Sequence, residues 1–183
     1  MIKIGRKPDT NEPVYFPTPE QIGFVPHVGI FGIPGIGKTV TLKKIIAELY
    51  DLYREERGLT ADMIVEKYSE YRKSRLYVDQ EDHVSQQMLS EIMKPARAKG
   101  CTVMYTSTSV GDYLSTEHSS LASAIKDMTG CYIILYLSRW DLSIVSQALS
   151  LSAGETAFLS ERKNGGLIVT KSEHIPFVTE RRT

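Results

Sequence analysis

The chain has 183 residues, 42% of them hydrophobic and 24% charged, a balance that suits one ordinary globular domain and leaves little room for a second. Its 22 basic and 22 acidic side chains cancel to a formal net charge of zero, so charge alone does not coat nucleic acid, and any such contact has to use a local patch or several subunits together. No apolar run approaches the ~20 residues that span a bilayer. Residues 1–7 lack the apolar core of a signal peptide, so a cytoplasmic setting is expected. Cys101 and Cys131 each sit in a strand-like apolar stretch and read as small buried residues rather than a disulfide.

No internal repeat, low-complexity tract or linker interrupts the sequence, which reads as one domain over 1–183. Residues 1–27 form its lead-in and 154–183 its C-terminal hairpin and tail. Pro13, Pro17, Pro19 and Pro26 keep the lead-in extended. His27-Val28-Gly29-Ile30-Phe31 predicts a short strand. From Lys38 a helix is expected through Leu42, Ile45, Ile46, Leu49 and Leu52, spaced at i, i+3 and i+4, with Gly58 as its stop. Thr60 then caps a second helix carrying Met63, Ile64 and Tyr68.

Leu76-Tyr77-Val78 is a brief apolar run closing on Asp79. A helix with Val84, Met88, Leu89, Ile92 and Met93 follows, kinked or ended by Pro95. Residues 101–106 and 131–137 are strand-like, with a helix over Leu121 to Met128 between them. Beyond Asp141 a helix carries Leu142, Val145, Ala148 and Leu149. Thr156 to Ser160, a turn at Asn164-Gly165-Gly166, and Leu167-Ile168-Val169 predict a hairpin. Strands alternating with helices at this spacing argue for an α/β fold with a mostly parallel sheet flanked by helices.

Gly32-Ile33-Pro34-Gly35-Ile36-Gly37-Lys38-Thr39 fits G-x-x-x-x-G-K-[ST] at every fixed position, between a predicted strand and a predicted helix. Glycines let the backbone wrap phosphate oxygens with its N–H groups turned inward. Lys38 supplies a cation to the β- and γ-phosphates, and the Thr39 hydroxyl helps to hold Mg²⁺. The helix that opens here, with Val40 in its first turn, presents its positive end to the anion. A nucleoside triphosphate, ATP, with Mg²⁺ is the expected ligand.

Such a loop needs a carboxylate for the magnesium, commonly at the end of a neighbouring hydrophobic strand, and Asp79 follows Leu76-Tyr77-Val78 in that position. Cleavage of the γ-phosphate also needs a group that orients or deprotonates water. Gln80 can orient a water but cannot take its proton; Glu81 can do both. A solvated strand-to-helix turn over Asp79, Glu81 and Asp82 is the plainer alternative. Ser107-Thr108-Ser109, after the strand beginning at Thr102, reads equally as a γ-phosphate sensor or as ordinary turn residues. Arg97 and Arg139 are candidates for a guanidinium that stabilises transition-state charge.

A family pattern runs through several short segments. These are Ile4-Gly5-Arg6 with Glu12-Pro13-Val14, the strand His27 to Gly32, and Ala96-Arg97-Ala98-Lys99-Gly100. Toward the C-terminus come Leu149 to Glu155 and Asn164 to Val169. Taken in order with the phosphate loop, they resemble the HerA/FtsK superfamily of DNA-pumping ATPases, particularly its conjugation-type (type IV secretion) and viral genome-packaging branches.

That resemblance implies a RecA-like core, a homo-oligomeric ring (a hexamer), double-stranded DNA as the partner, and a viral or secretion-machinery docking partner. The setting is cytoplasmic, in the viral case within an infected host cell. It puts Arg97 where the family has an arginine finger acting on a neighbouring subunit. Thr108 falls where the family has a sensor glutamine, and Gln80 where it has a glutamate. It also implies that the phosphate-loop strand lies beside the sensor strand and that the latter lies beside the Asp79 strand. Only about forty residues separate Lys38 from Asp79. The edge strand that follows the phosphate-loop helix in such folds is therefore expected to be missing. Two other functions fit a phosphate loop: an assembly switch that binds nucleotide with little turnover, and a small-molecule kinase. The kinase lacks the arginine-rich lid such enzymes carry.

Overall fold

The computed structural model describes residues 2–17, 22, 27–53, 76–78, 85–98, 102–115 and 120–179. Strands β1 (Lys3–Arg6), β2 (Pro13–Tyr15) and β3 (His27–Phe31) open the chain, and helix α1 (Lys38–Tyr53) leads to β4 (Leu76–Val78). Helix α2 (Gln86–Ala98), β5 (Val103–Ser107), α3 (Gly111–Leu114) and α4 (Ser120–Met128) come next. The remainder is β6 (Thr129–Leu135), α5 (Arg139–Ala148), α6 (Ala153–Glu161), β7 (Gly165–Thr170) and β8 (His174–Val178). All the strands join one eight-stranded sheet in the order β2-β1-β8-β7-β6-β3-β5-β4.

The four strands β6-β3-β5-β4 run parallel, with Val28 opposite Met104 on one side and Cys131 on the other. As expected, β3 lies beside β5 and β5 beside β4, the last strand on that side among the described residues; the edge strand expected to be missing after α1 concerns residues 54–75, which lie outside them. The other half is antiparallel: β7 returns along β6, β8 along β7, and β1 and β2 close that side. The sheet is thus mixed rather than mostly parallel. The reason is that β7, β8, β1 and β2 join by hairpins and edge pairing, which need no crossover helix. The lead-in accordingly contributes two paired strands. Pro13 opens β2 at the outermost position, where a missing N–H breaks no ladder.

Side chains alternate across the parallel strands and build a separate core on each face. Cys131, Ile133 and Leu135 of β6 join Val28, Ile30, Leu42 and Ile45 under α1. Tyr132 and Ile134 point the other way, with Phe31 and Tyr105, against Leu89 and Met93 of α2, Ile125 of α4 and Val145 of α5. Phe31 meets Tyr105 edge-on at a centroid distance of 5.9 Å, and Tyr113 and Tyr132 lie around the same ring. Cys131 is a buried thiol, as expected, and burial pushes its pKa up to about 12. Cys101 lies outside the described residues.

One local expectation is corrected. Residues 156–160 are not a hairpin strand but part of α6, and the hairpin is instead β7–β8, turning through Lys171, Ser172 and Glu173. A capping box fixes the helix: the Ser152 hydroxyl accepts from the Glu155 N–H, and the Glu155 carboxylate accepts from the Ser152 N–H at 2.7 Å. Of the two outcomes expected at Pro95, a kink or an end, the end does not occur, because α2 continues to Ala98. The expected stop at Gly58 and the helix capped by Thr60 lie outside the described residues. Among those residues, no helix is long and apolar enough to cross a membrane.

Candidate functional site

β3 delivers the chain to Gly32 between two parallel neighbours, with Phe31 opposite Ser107 of β5 and Ile134 of β6. The loop that follows is drawn tightly against β6. A Cβ added to Gly32 would stand 2.6 Å from Ile36 Cγ2 and 3.1 Å from Leu135 Cβ. The Ile33 N–H donates to the Tyr136 carbonyl at 3.0 Å, and the Ile36 N–H donates to the Ile33 carbonyl at 3.3 Å to close a turn. Gly35 and Gly37 take φ values of 75° and 102°, conformations that favour glycine. A Cβ at either would meet no atom within 4 Å, so backbone conformation, not crowding, demands glycine there, and the space beside both positions is open.

Helix α1 starts at Lys38, and the Thr41 N–H donates to the Gly37 carbonyl at 2.8 Å. The Lys38 side chain is only 7% exposed. Its ammonium donates to the carbonyls of Gly32 and Ile33, both at 3.1 Å, so the cation is held across the entrance of its own loop. The Thr39 hydroxyl belongs to the same helical turn, and Val40 is 63% exposed. Glycines left open, a cation, and a helix start with its N–H groups directed outward suit a phosphate chain.

On the neighbouring strand, Thr106 and Ser107 are buried at the end that faces the loop. The Ser107 hydroxyl accepts from the Ser109 N–H at 3.0 Å and donates to the Ser109 carbonyl at 3.3 Å, a closed local turn. Thr108 between them is half-buried. β4 reaches Val78, opposite Tyr105, on the far side of β5 from the loop strand. Asp79, Gln80 and Glu81 lie outside the described residues.

The two candidate arginines lie at opposite ends of the sheet. Arg139 is exposed at the start of α5, three residues after the Tyr136 carbonyl that holds Ile33, and so lies at the loop end. Arg97 is exposed in the last turn of α2, the helix that precedes β5. A helix between parallel strands returns to the start of the next strand. Arg97 is therefore separated from its own loop by the length of β3, whose five residues span about 15 Å.

At that end stands a residue that the strand pattern did not single out. His27 is fully buried; its Nδ1 accepts from the Val103 N–H at 3.0 Å, so Nε2 carries the proton and donates to the Met93 carbonyl at 3.0 Å. Burial pushes its pKa down to about 4, and the nearby Arg97 charge acts in the same direction. The available signal was a polar residue leading an otherwise apolar strand.

No protein-family model matches the chain, and neither does any curated protein. Among solved structures, the genome packaging NTPase B204 from Sulfolobus turreted icosahedral virus 2, in complex with ATP-gammaS, superposes with a TM-score of 0.62 at 13% identity. That match covers 87% of this chain and 100% of that one. EccC (ATPases 2 and 3) of Thermomonospora curvata gives 0.58 at 17% identity, over 100% of this chain and 40% of that one. The chain has the fold of these ATPases. VirB4 of Thermoanaerobacter pseudethanolicus gives 0.48 at 18% identity, over 79% of this chain and 36% of that one. The chain spans less than half the length of the EccC and VirB4 structures. B204 belongs to the genome-packaging class that the sequence motifs resemble.

On this ATPase fold, the open glycine loop at residues 32–37 runs into the first turn of α1, which carries the hydroxyls of Thr39 and Thr41. Tyr136, just past the end of β6, and Ser107 at the end of β5 flank the start of the loop.

Proposed function

We propose that the chain binds ATP and Mg²⁺ at residues 32–40 and hydrolyses the γ-phosphate as one subunit of an oligomeric motor on double-stranded DNA. The motor is of the genome-packaging or conjugation type, a hexameric ring with a docking partner in a virus or a secretion machine. One observation carries the reading: Lys38 is held over an open glycine loop, while Arg97 stands exposed at the other end of β3. An arginine so placed has no route to its own loop but is available to a neighbouring copy packed head to tail, an arrangement that closes into rings. Solved complexes of B204 with ATP-gammaS and with AMPPCP support ATP as the ligand.

In this reading Lys38 and the loop N–H groups neutralise the β- and γ-phosphates, and Thr39 and Asp79 hold the metal. A magnesium ion held by these residues would supply positive charge against that developing on the phosphates. Gln80 orients the attacking water, Glu81 takes its proton, Thr108 contacts the γ-phosphate, and Arg97 of a neighbour stabilises the transition state.

A concentration series of phosphate release tests the subunit requirement. Turnover per chain should rise steeply with protein concentration and again with double-stranded DNA. Full turnover in a strict monomer contradicts it. A second reading, an assembly switch that binds nucleotide and scarcely hydrolyses it, is favoured by the self-satisfied Ser107–Ser109 turn at the end of β5. That switch shows nucleotide-dependent oligomerisation without phosphate release, and Glu81→Gln leaves it unchanged.

A further inference from the structure

His27 touches three elements that the proposed mechanism needs in register. It begins β3, the strand that ends in the phosphate loop, and its ring is bonded to Met93 in α2 and to Val103 at the start of β5. Met93 is four residues before Arg97, so its carbonyl is the one that the Arg97 N–H meets in regular helical pairing. The ring therefore grips the last turn of α2 at the rung that supports Arg97. Pro95 sharpens the need for that grip, because it has no N–H to give the Glu91 carbonyl, and the helix end is short of one internal bond. His27 and both of its partners, Met93 and Val103, are fully buried, so these hydrogen bonds lie away from solvent.

We infer that His27 is a positioning residue for Arg97: its neutral imidazole locks the helix end bearing that arginine to the base of the phosphate-loop strand. The inference rests on the reading of Arg97 as a group that acts on a neighbouring subunit. It adds a mechanical link, along the length of β3, between the nucleotide a subunit holds and the arginine it offers to the next. Each half of the link has its own mimic. Glutamine can place an amide N–H near the Nε2 position and keep the bond to Met93. Asparagine can place an oxygen near Nδ1 and keep only the bond from Val103.

The test uses the full chain with His27→Gln, His27→Asn, Arg97→Ala and Lys38→Ala, each checked for a cooperative thermal transition. Saturating turnover, ATP affinity, and turnover in pairwise mixtures are measured. We expect His27→Asn to lose at least tenfold in kcat with nucleotide affinity unchanged within about twofold, and His27→Gln to stay within about threefold of the parent. Mixed with Lys38→Ala, which keeps its arginine but not its loop cation, His27→Asn should regain turnover just as Arg97→Ala does. Mixed with Arg97→Ala it should not.

Failure of Lys38→Ala to rescue Arg97→Ala overturns the neighbouring-subunit reading itself. Rescue of Arg97→Ala but not of His27→Asn overturns the positioning role alone and leaves His27 as a fold residue. If the asparagine variant does not fold, the glutamine variant decides: a tenfold fall in kcat in a folded His27→Gln protein overturns the proposal.

Discussion

The backbone N–H of Ile33 donates to the carbonyl of Tyr136 at 3.0 Å, which pins the first turn of the phosphate loop to the chain leaving β6. Gly32 is what allows this approach, because a Cβ there would overlap Ile36 Cγ2 at 2.6 Å and press on Leu135 at 3.1 Å. Gly32→Ala is therefore expected to push the loop off β6 and weaken ATP binding at least tenfold. The strain should also lower stability by about 1–3 kcal/mol. Nucleotide titration and chemical denaturation check both parts.

Arg97 and Arg139 separate by position. Arg97→Ala should lower kcat by about a thousandfold or more, the range for an arginine supplied to a transition state, and leave ATP affinity intact. Arg139, at the loop end of the same chain, should when changed to alanine alter affinity or KM with no change in the dependence on protein concentration. Steady-state kinetics at several protein concentrations tell the two apart.

Acid stability follows from His27. Its pKa lies near 4 in the folded chain against 6.5 ordinarily, so between these values the unfolded chain binds more protons and stability falls as pH falls. The full contribution is present above pH 6.5. Over the window down to pH 4 the loss amounts to about 3 kcal/mol, and below that the folded ring protonates too. Denaturation at a series of pH values should show this slope, and His27→Gln should flatten it.

Far from the loop, Gly166 of β7 lies against the buried Phe177 of β8, and an added Cβ would sit 2.4 Å from Phe177 Cζ. Gly166→Ala should destabilise by about 1–3 kcal/mol as the ring is displaced. Nucleotide affinity should be unchanged, since this pair belongs to the antiparallel half. Denaturant midpoints and ATP titration together test that separation.

The parallel half was legible because its signals are local. An apolar strand, a glycine loop and a helix at i, i+3, i+4 spacing follow one another at 27–53, and the core sides of β5 and β6 are continuous apolar runs. The antiparallel half was less so. β1 and β2 are short, and their membership in the sheet comes from pairing with β8 at the other end of the chain, which no local pattern announces. The misassigned strand at 156–160 had a visible counter-signal in Ser152 and Glu155, a capping pair that outweighs the extended reading of the residues after it. For the site, the loop glycines and Lys38 were readable from the motif. His27 was not, because the sequence does not show that a polar residue at a strand start will be sealed between a helix carbonyl and a strand amide. The acidic half, Asp79 to Glu81, rests on sequence alone.

ATP hydrolysis by the parent chain, with and without double-stranded DNA and with Lys38→Ala as the blank, tests the central claim most directly. Phosphate release that DNA stimulates and that Lys38→Ala abolishes is the predicted result. Tight ATP binding with no release above the blank, with or without DNA, would contradict the motor and leave the assembly switch.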